Sequence, residues 1–521
     1  MKDDEKILRL CKRRKKGILR IVFGRTGLIL LLVAVQIVLL FGVFGWFEEY
    51  FGWFSAAQTV FSVAMILYLF NCGMDNSAKL TWLILMMLFP VPGTVLLIFT
   101  KADIGHKAVK DRVERLIDET RETLPQNESV MNEREAKESC TDALCRYINR
   151  SGCFPMYKNT SVTYFPLGEN KYAALLEELK KAERYIFLEY FIIDEGDMWG
   201  NVLYILAEKA KQGVDVRLMY DGMCEIALLP HDYPKRLERL GIKCRVFAPI
   251  APFLSTHYNY RDHRKILVID GKTAFTGGVN LADEYINRGS RFGHWKDTAV
   301  MLKGEAVPSF TLMFLQMWNI PEKTPDWSEC LEKTEPVDAV GYVMPFGDCP
   351  LDDEKVGECV YMDILARASS YVHIMTPYLI LDGELEAALK FAAERGVDVR
   401  LILPGIPDKK AAYALAKTHY RSLISSGVKI YEYTPGFVHA KVFVSDDVKA
   451  VVGTVNLDYR SLYHHFECAA YMYGSDCIPD IERDFRETLA KCREVTPETI
   501  KHEKIGYKVA GAIMKLVAPL M

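Results

Sequence analysis

"KQGVDVRLMYDG" (211–222) returns as "ERGVDVRLILPG" (394–405), and that repetition decides the architecture. Working outward, "AERYIFLEYFIIDE" (182–195) parallels "ASSYVHIMTPYLIL" (368–381), and "GIKCRVF" (241–247) parallels "GVKIYEY" (427–433). The three offsets are 186, 183 and 186 residues, so the chain contains one duplicated unit. Each copy reads as a strand, an amphipathic helix ("GNVLYILAEKAKQ", "GELEAALKFAAER"), the strand after Gly-Val-Asp, and a further helix and strand. Alternation of this kind builds a layered α/β domain, and two large copies facing each other make a cleft rather than a solenoid.

Each copy then carries the same polar pattern. "RDHRKILVID" (261–270) supplies His263, Lys265 and Asp270 ahead of "GGVN" (277–280), and "HAKVFVSD" (439–446) supplies His439, Lys441 and Asp446 ahead of "GTVN" (453–456). His263 to His439 and Gly277 to Gly453 are both 176 residues apart. Strand alternation places each His and Lys on one face, where two cation-capable groups converge and call for an anion. These residue types suit phosphoryl transfer. One histidine can attack phosphorus while the other protonates the leaving alkoxide and later deprotonates the incoming hydroxyl. The lysines, with the amides of Asn280 and Asn456, would hold the phosphate oxygens and neutralise charge. No cluster with metal-ligand spacing is present, so neither a metal nor another cofactor is expected. Each imidazole needs a carboxylate to fix its tautomer. The candidates are Asp270 and Asp446, which have the wrong strand parity and can equally be turn residues, and Asp297 and Glu467, which follow each Gly-x-x-Asn.

The 521 residues are half hydrophobic and 26% charged, with a formal net charge of −3 that hides an asymmetry. Residues 1–26 hold ten basic side chains, and charge-free runs follow over 27–47, 51–74 and 80–100. These read as a basic cytoplasmic terminus and a membrane region of three segments, the last interrupted by Pro90, Pro92 and Gly93. The run is too long for a cleaved signal peptide. Basic residues after position 100 and 13 cysteines without a disulfide-framework spacing place the catalytic part on the cytoplasmic side of the cell membrane. Residues 101–150 read as a helical or loose connector rather than core, 151–330 as the first domain and 331–500 as the second. The tail, 501–521, is an amphipathic helix that either lies in the membrane interface or packs on the protein's own core.

The paired HxKxxxxD and G-G/T-x-N pattern resembles the phospholipase D superfamily. "NYRDHRKILVIDGKTAFTGGVNLADEY" (259–285) with "FGHWKDT" (292–298) is similar to the bacterial cardiolipin synthase family, over about residues 160–500, as is "TWLILMMLFPVPG" (81–93). The resemblance implies two duplicated phospholipase D-like α/β/α sandwich domains with the active site at their interface, preceded by transmembrane helices. It also implies transfer of a phosphatidyl group from one phosphatidylglycerol to another through a phosphatidyl-histidine, with His263 the usual nucleophile. Two departures stand out: Thr454 replaces the glycine found at Gly278, and "HHFE" (464–467) places His465 where the family more often has asparagine. Water or another alcohol as acceptor would instead make a phospholipase D or a different phosphatidyltransferase. A nuclease is disfavoured because no basic, aromatic-interleaved patch accompanies the motifs. An inactive lipid-binding scaffold is disfavoured because both motifs are complete.

Overall fold

The computed structural model describes residues 51–520 apart from 103–105, 138–140, 153, 250–259, 290, 326, 332–333 and 353. They fall into a larger unit, holding 110–249 and 259–515, and a smaller one built from the preceding helices and the last residues of the chain.

The larger unit contains two sheets with one connectivity. The first has β1 (Thr160–Phe165), β2 (Tyr185–Tyr190), β3 (Asp215–Asp221), β4 (Lys243–Phe247), β5 (Lys265–Ile269), β6 (Thr273–Gly277) and β7 (Ala299–Gly304), in the order β1-β7-β6-β5-β2-β3-β4. The second has β8 (Tyr342–Asp348), β9 (Tyr371–Met375), β10 (Asp398–Pro404), β11 (Lys429–Tyr433), β12 (Val442–Ser445), β13 (Lys449–Gly453), β14 (His465–Tyr473) and β15 (Cys492–Glu494), in the order β8-β14-β13-β12-β9-β10-β11-β15. Apart from the added edge strand β15, each position in one sheet has its counterpart in the other. The Gly-Val-Asp strands β3 and β10 pair in parallel with β2 and β9, as strands joined by a crossover helix must.

Helices cover both faces of these sheets, so the central strands read as continuous apolar runs. In the first repeat, Val202, Leu203 and Leu206 of helix Asp197–Lys211 pack on Ile186, Leu188, Val216 and Leu218, all buried. Each such side chain contributes about 1.5–3 kcal/mol by leaving water. Helix Val307–Trp318, buried along its whole length, touches strands of both sheets. The corresponding helix Ile478–Leu489 packs on the second sheet and sends Asp484 to Tyr164 Oη (2.6 Å) and Lys296 Nζ (2.7 Å) of the first repeat. Part of 101–150, expected as a connector outside the core, enters it instead. Val130, Met131, Leu144, Cys145 and Ile148 are buried in one cluster with Val360, Tyr361 and Ile364. The high charge of that stretch belongs to its outer faces.

In the smaller unit, segment 51–74 forms helix Phe51–Asn71, while 80–100 is divided between helices Asn76–Leu88 and Pro90–Ala102. Proline cannot continue the helix that precedes it, and the break falls at Phe89. Among the described residues no helix is long and apolar enough to cross a membrane. Segment 27–47 lies outside the described residues. The tail forms helix Ile505–Val517. Gly511 alone on it is buried, so close to Ala414 O that an added Cβ would lie 2.4 Å away, while Ile505, Val509 and Ile513 are exposed. The helix meets the protein at Gly511 and at Tyr507, whose ring stands edge-on to Tyr413 at 5.9 Å, and the apolar stripe faces outward.

Asp270 and Asp446, candidates for the site, are placed elsewhere. Each follows its strand and adopts positive φ (53° and 54°), which aspartate tolerates better than most residues. Asp270 accepts from the backbone N–H of Glu183, Arg184 and Tyr185, each at 2.8 Å, and Asp446 from those of Ser369, Ser370 and Tyr371 at 2.8–2.9 Å. Five residues of extended chain set Asp270 about 16 Å beyond Lys265. Both aspartates fasten the start of the neighbouring strand, β2 or β9. Asp270→Ala is expected to lower unfolding free energy by about 1–3 kcal/mol in a denaturant titration, because backbone donors lose their acceptor; an unchanged midpoint would refute the fastening role.

Candidate active site

The two repeats meet through the segments that carry the motifs. Arg261–Asp262 pairs in parallel with the start of β14 (His465 opposite Arg261), and His294–Lys296 pairs with Gly436–Val438. The first pairing sets His263 N on Phe466 O (2.9 Å), and the second sets His439 N on Lys296 O (2.7 Å). Each motif histidine therefore enters the site alongside the other repeat's strand, beside the carboxylate that follows that strand's Gly-x-x-Asn.

The carboxylates are exchanged. His263 Nδ1 donates to Glu467 of the second repeat, 2.9 and 3.0 Å from its two oxygens, and His439 Nδ1 donates to Asp297 of the first, at 2.7 Å. All four side chains are buried. With Nδ1 committed to a carboxylate, Nε2 of each neutral imidazole is left unprotonated. Burial pushes His263 well below its ordinary range and His439 down to about 4, although Glu467 and Asp297 pull the other way.

Lys265 and Lys441 share this dry space, each ammonium bonding back to the carbonyl of its motif histidine. Burial pushes Lys265 down to about 8 and Lys441 to about 7, with the carboxylates opposing the fall. Two ammonium groups bonded to backbone carbonyls, beside two imidazoles that keep Nε2 clear of the carboxylates, offer hydrogen-bond donors to an anion such as a phosphodiester.

The two asparagines differ. Asn280 accepts from Ile192 N (3.1 Å) and donates to Tyr285 Oη (2.7 Å), whereas Asn456 is buried with Oδ1 unpartnered. The departure at Thr454 has a physical reason. Its hydroxyl donates to Glu467, while a Cβ added at Gly278 would lie 2.0 Å from Asp297 Oδ1. One carboxylate is steadied by a side chain and the other by the Thr298 N–H, at 2.8 Å.

Three neighbours escaped the sequence reading. Lys171 is fully buried, 3.1 Å from Tyr190 Oη and 3.3 Å from Val279 O, and burial brings it down to about 7, with Asp297 opposing. Its helix, "GENKYAALLEELK", looks like any amphipathic surface helix. Phe191 sets its ring edge-on to His263 at 4.9 Å, and Trp295 packs on His439 at 5.4 Å. His465, whose role the sequence leaves open, lies 5.2 Å from His263 between ring centres, the place that Trp295 takes beside His439. A surface position for His465 is excluded, since it is buried.

Comparison with known proteins agrees with this geometry. The family described as cardiolipin synthase, PLD-like domain, matches residues 175–318 and 361–489. A cardiolipin synthase of Geobacillus kaustophilus is 32% identical over 509 residues, covering 96% of this chain and 99% of its own. An uncharacterized protein of Streptococcus mutans is 57% identical over 460 residues, covering 88% of this chain and all of its own. Among solved structures, the phosphatidylserine synthase of Haemophilus influenzae shares the fold, with a TM-score of 0.56 at 13% identity over 73% of this chain and 100% of its own. The chain belongs to the bacterial cardiolipin synthase family of the phospholipase D superfamily.

Proposed function

We propose that this enzyme is a phosphatidyltransferase that makes cardiolipin and glycerol from two phosphatidylglycerols, with His263 as nucleophile and His439 as acid and base. The observation that carries the reading is the exchange of Glu467 and Asp297 between the repeats, which engages Nδ1 of both histidines and leaves Nε2 of each available in one buried site with Lys265 and Lys441. His439 enters the first step as imidazolium, its charge offset by Asp297 and the bound phosphodiester; His263 Nε2 attacks phosphorus, the P–O bond to glycerol breaks, and the leaving alkoxide takes the Nε2 proton of His439. The hydroxyl of a second phosphatidylglycerol then gives its proton to His439 and attacks phosphorus, and the P–N bond breaks. Protons balance over the cycle. Lys265 and Lys441 stabilise the charge gathered on the phosphoryl oxygens, and the Asn456 amide supplies a further polar contact. Asp297 and Glu467 hold the rings and offset the imidazolium charge, while Asn280 positions Tyr285 and the loop at Ile192.

A membrane location suits the substrate. Val60, Phe61, Leu67, Phe70, Met87 and Leu88 are exposed on the smaller unit, and the stripe Ile505, Val509 and Ile513 is flanked by Lys508 and Lys515. Exposed apolar area of this kind marks a lipid-facing surface, and the lysines suit anionic headgroups. We assign the tail helix to the membrane interface, the N-terminal region to multi-pass anchoring and the catalytic unit to the cytoplasmic side.

Purified protein in phosphatidylglycerol micelles with a chelator is expected to form cardiolipin and glycerol in equal amounts; phosphatidic acid as main product would make the enzyme a hydrolase. His263→Ala and His439→Ala should each lower turnover by roughly 10³-fold or more, and a burst of released glycerol retained only with His439 variants slowed in the second step would identify His263 as the attacking residue. The lysines lose their charge as pH rises through about 7 for Lys441 and about 8 for Lys265. The pH profile of kcat/KM should therefore fall on its alkaline side across that window, by about tenfold per unit for each essential proton; a flat profile to pH 9 would remove the lysines from phosphate binding. Replacing Ile505, Val509 and Ile513 together by Ser should raise KM for vesicle-borne phosphatidylglycerol while sparing turnover of a short-chain, monomeric analogue.

A further inference from the structure

His465 is 7% exposed, and neither of its ring nitrogens has a hydrogen-bond partner. A buried imidazole with two unmet nitrogens is costly. The equivalent position in the first repeat holds Trp295, which fills the same space beside its histidine without offering a ligand atom. His465 Nδ1 is 3.6 Å from Glu467 Oε1, and His263 Nδ1 is 2.9 Å from that oxygen. One ligand atom from each of the three residues lies within 4.8 Å of the others. Tetrahedral zinc, with bonds of 2.0–2.2 Å, sets its ligand atoms about 3.4 Å apart, between the two separations seen here. Two imidazoles and one carboxylate are the donors that a borderline divalent ion takes.

We propose that His263, His465 and Glu467 form an inhibitory site for a divalent transition metal of the Zn²⁺ class. This rests on the reading of His263 as nucleophile. When the ion binds His263 Nδ1, the imidazole stays neutral by carrying its proton on Nε2, the nitrogen that must be free to attack phosphorus. The proton passes from Nδ1 to Nε2, the Nδ1–H bond to Glu467 is lost, and three metal bonds form, one each from His263, Glu467 and His465. No carbon or phosphorus bond changes, so removal of the ion restores the original tautomer. The site would make the enzyme sensitive to free zinc although its chemistry uses no metal, and the sensitivity would reside in His465, a position where the first repeat cannot provide it.

The test uses the full chain in detergent micelles, washed with chelator and titrated with zinc sulfate by calorimetry and in the phosphatidylglycerol assay. The wild-type protein should bind one Zn²⁺ per chain and lose at least tenfold of its turnover, with recovery on adding chelator. His465→Asn should keep its turnover and lose both that binding event and the inhibition. His439→Ala, inactive under the functional reading, should still bind the ion. Equal zinc binding by the wild type and His465→Asn would overturn the site. Binding that depends on His465 but leaves wild-type turnover unchanged would overturn the inhibition. Absence of synthase activity without zinc would overturn the functional reading alone, because calorimetry still decides whether the metal binds.

Discussion

Each repeat lends the other its carboxylate. The hydrogen bonds from His263 to Glu467 and from His439 to Asp297 cross the boundary between the two sheets, and the rest of the site is arranged around them. A buried carboxylate without a partner costs several kcal/mol, and removing one member of a buried pair costs about 3–5 kcal/mol. Neither repeat can therefore present its histidine alone without leaving a charge stranded. The short parallel pairings at Arg261–Asp262 and His294–Lys296 are the backbone side of the same exchange, since they set the register that brings each carboxylate to its ring.

The exchange also explains how a cationic site is tolerated inside the protein. Lys265, Lys441 and Lys171 are all buried and all pushed below their ordinary range by that burial. Asp297 and Glu467 oppose this fall but are already bound to histidines. A phosphodiester entering among the three ammonium groups adds negative charge beside them and opposes the fall further. Where two copies must serve one reaction centre, small asymmetries separate their tasks. Thr454 reinforces Glu467 where Gly278 leaves room for Asp297.

Much of this was legible in the residues, because duplication prints the same pattern twice. The offsets near 186 and the shared spacing of 176 residues announced two like domains, and strand parity placed each His beside its Lys. Asp297 and Glu467 could be named as candidates, but not paired, since the exchange between repeats is a tertiary fact with no local signal. Asp270 and Asp446 share the motif only because they end its strand. Their three backbone bonds and positive φ belong to the turn, and alternation already placed them off the His/Lys face. The stretch 101–150 misled for another reason. Its charges dominate the composition, whereas the few apolar residues that decide its burial, among them Leu144 and Ile148, are spaced along one helical face.

The same physics constrains how the chain could have been built. A single repeat would hold one histidine, one lysine and a carboxylate aimed away from that histidine, so it would need a second copy to complete either dyad. Fusing two copies makes the partner permanent and lets the copies diverge, which a symmetric pair could not do without changing both halves. Once Thr454 could differ from Gly278, the two carboxylates could be held differently, one by a side-chain hydroxyl and the other by a backbone N–H. A symmetric pair of identical sites would instead have to rely on the substrate to distinguish them. The helices Val307–Trp318 and Ile478–Leu489, packed against the sheets, and the Asp484 contacts to Lys296 and Tyr164, keep that division rigid. Thr276 Oγ1 and Cys468 Sγ, 3.4 Å apart, add a contact between strands of the two sheets, and a shift of one residue in register would turn every motif side chain to the wrong face.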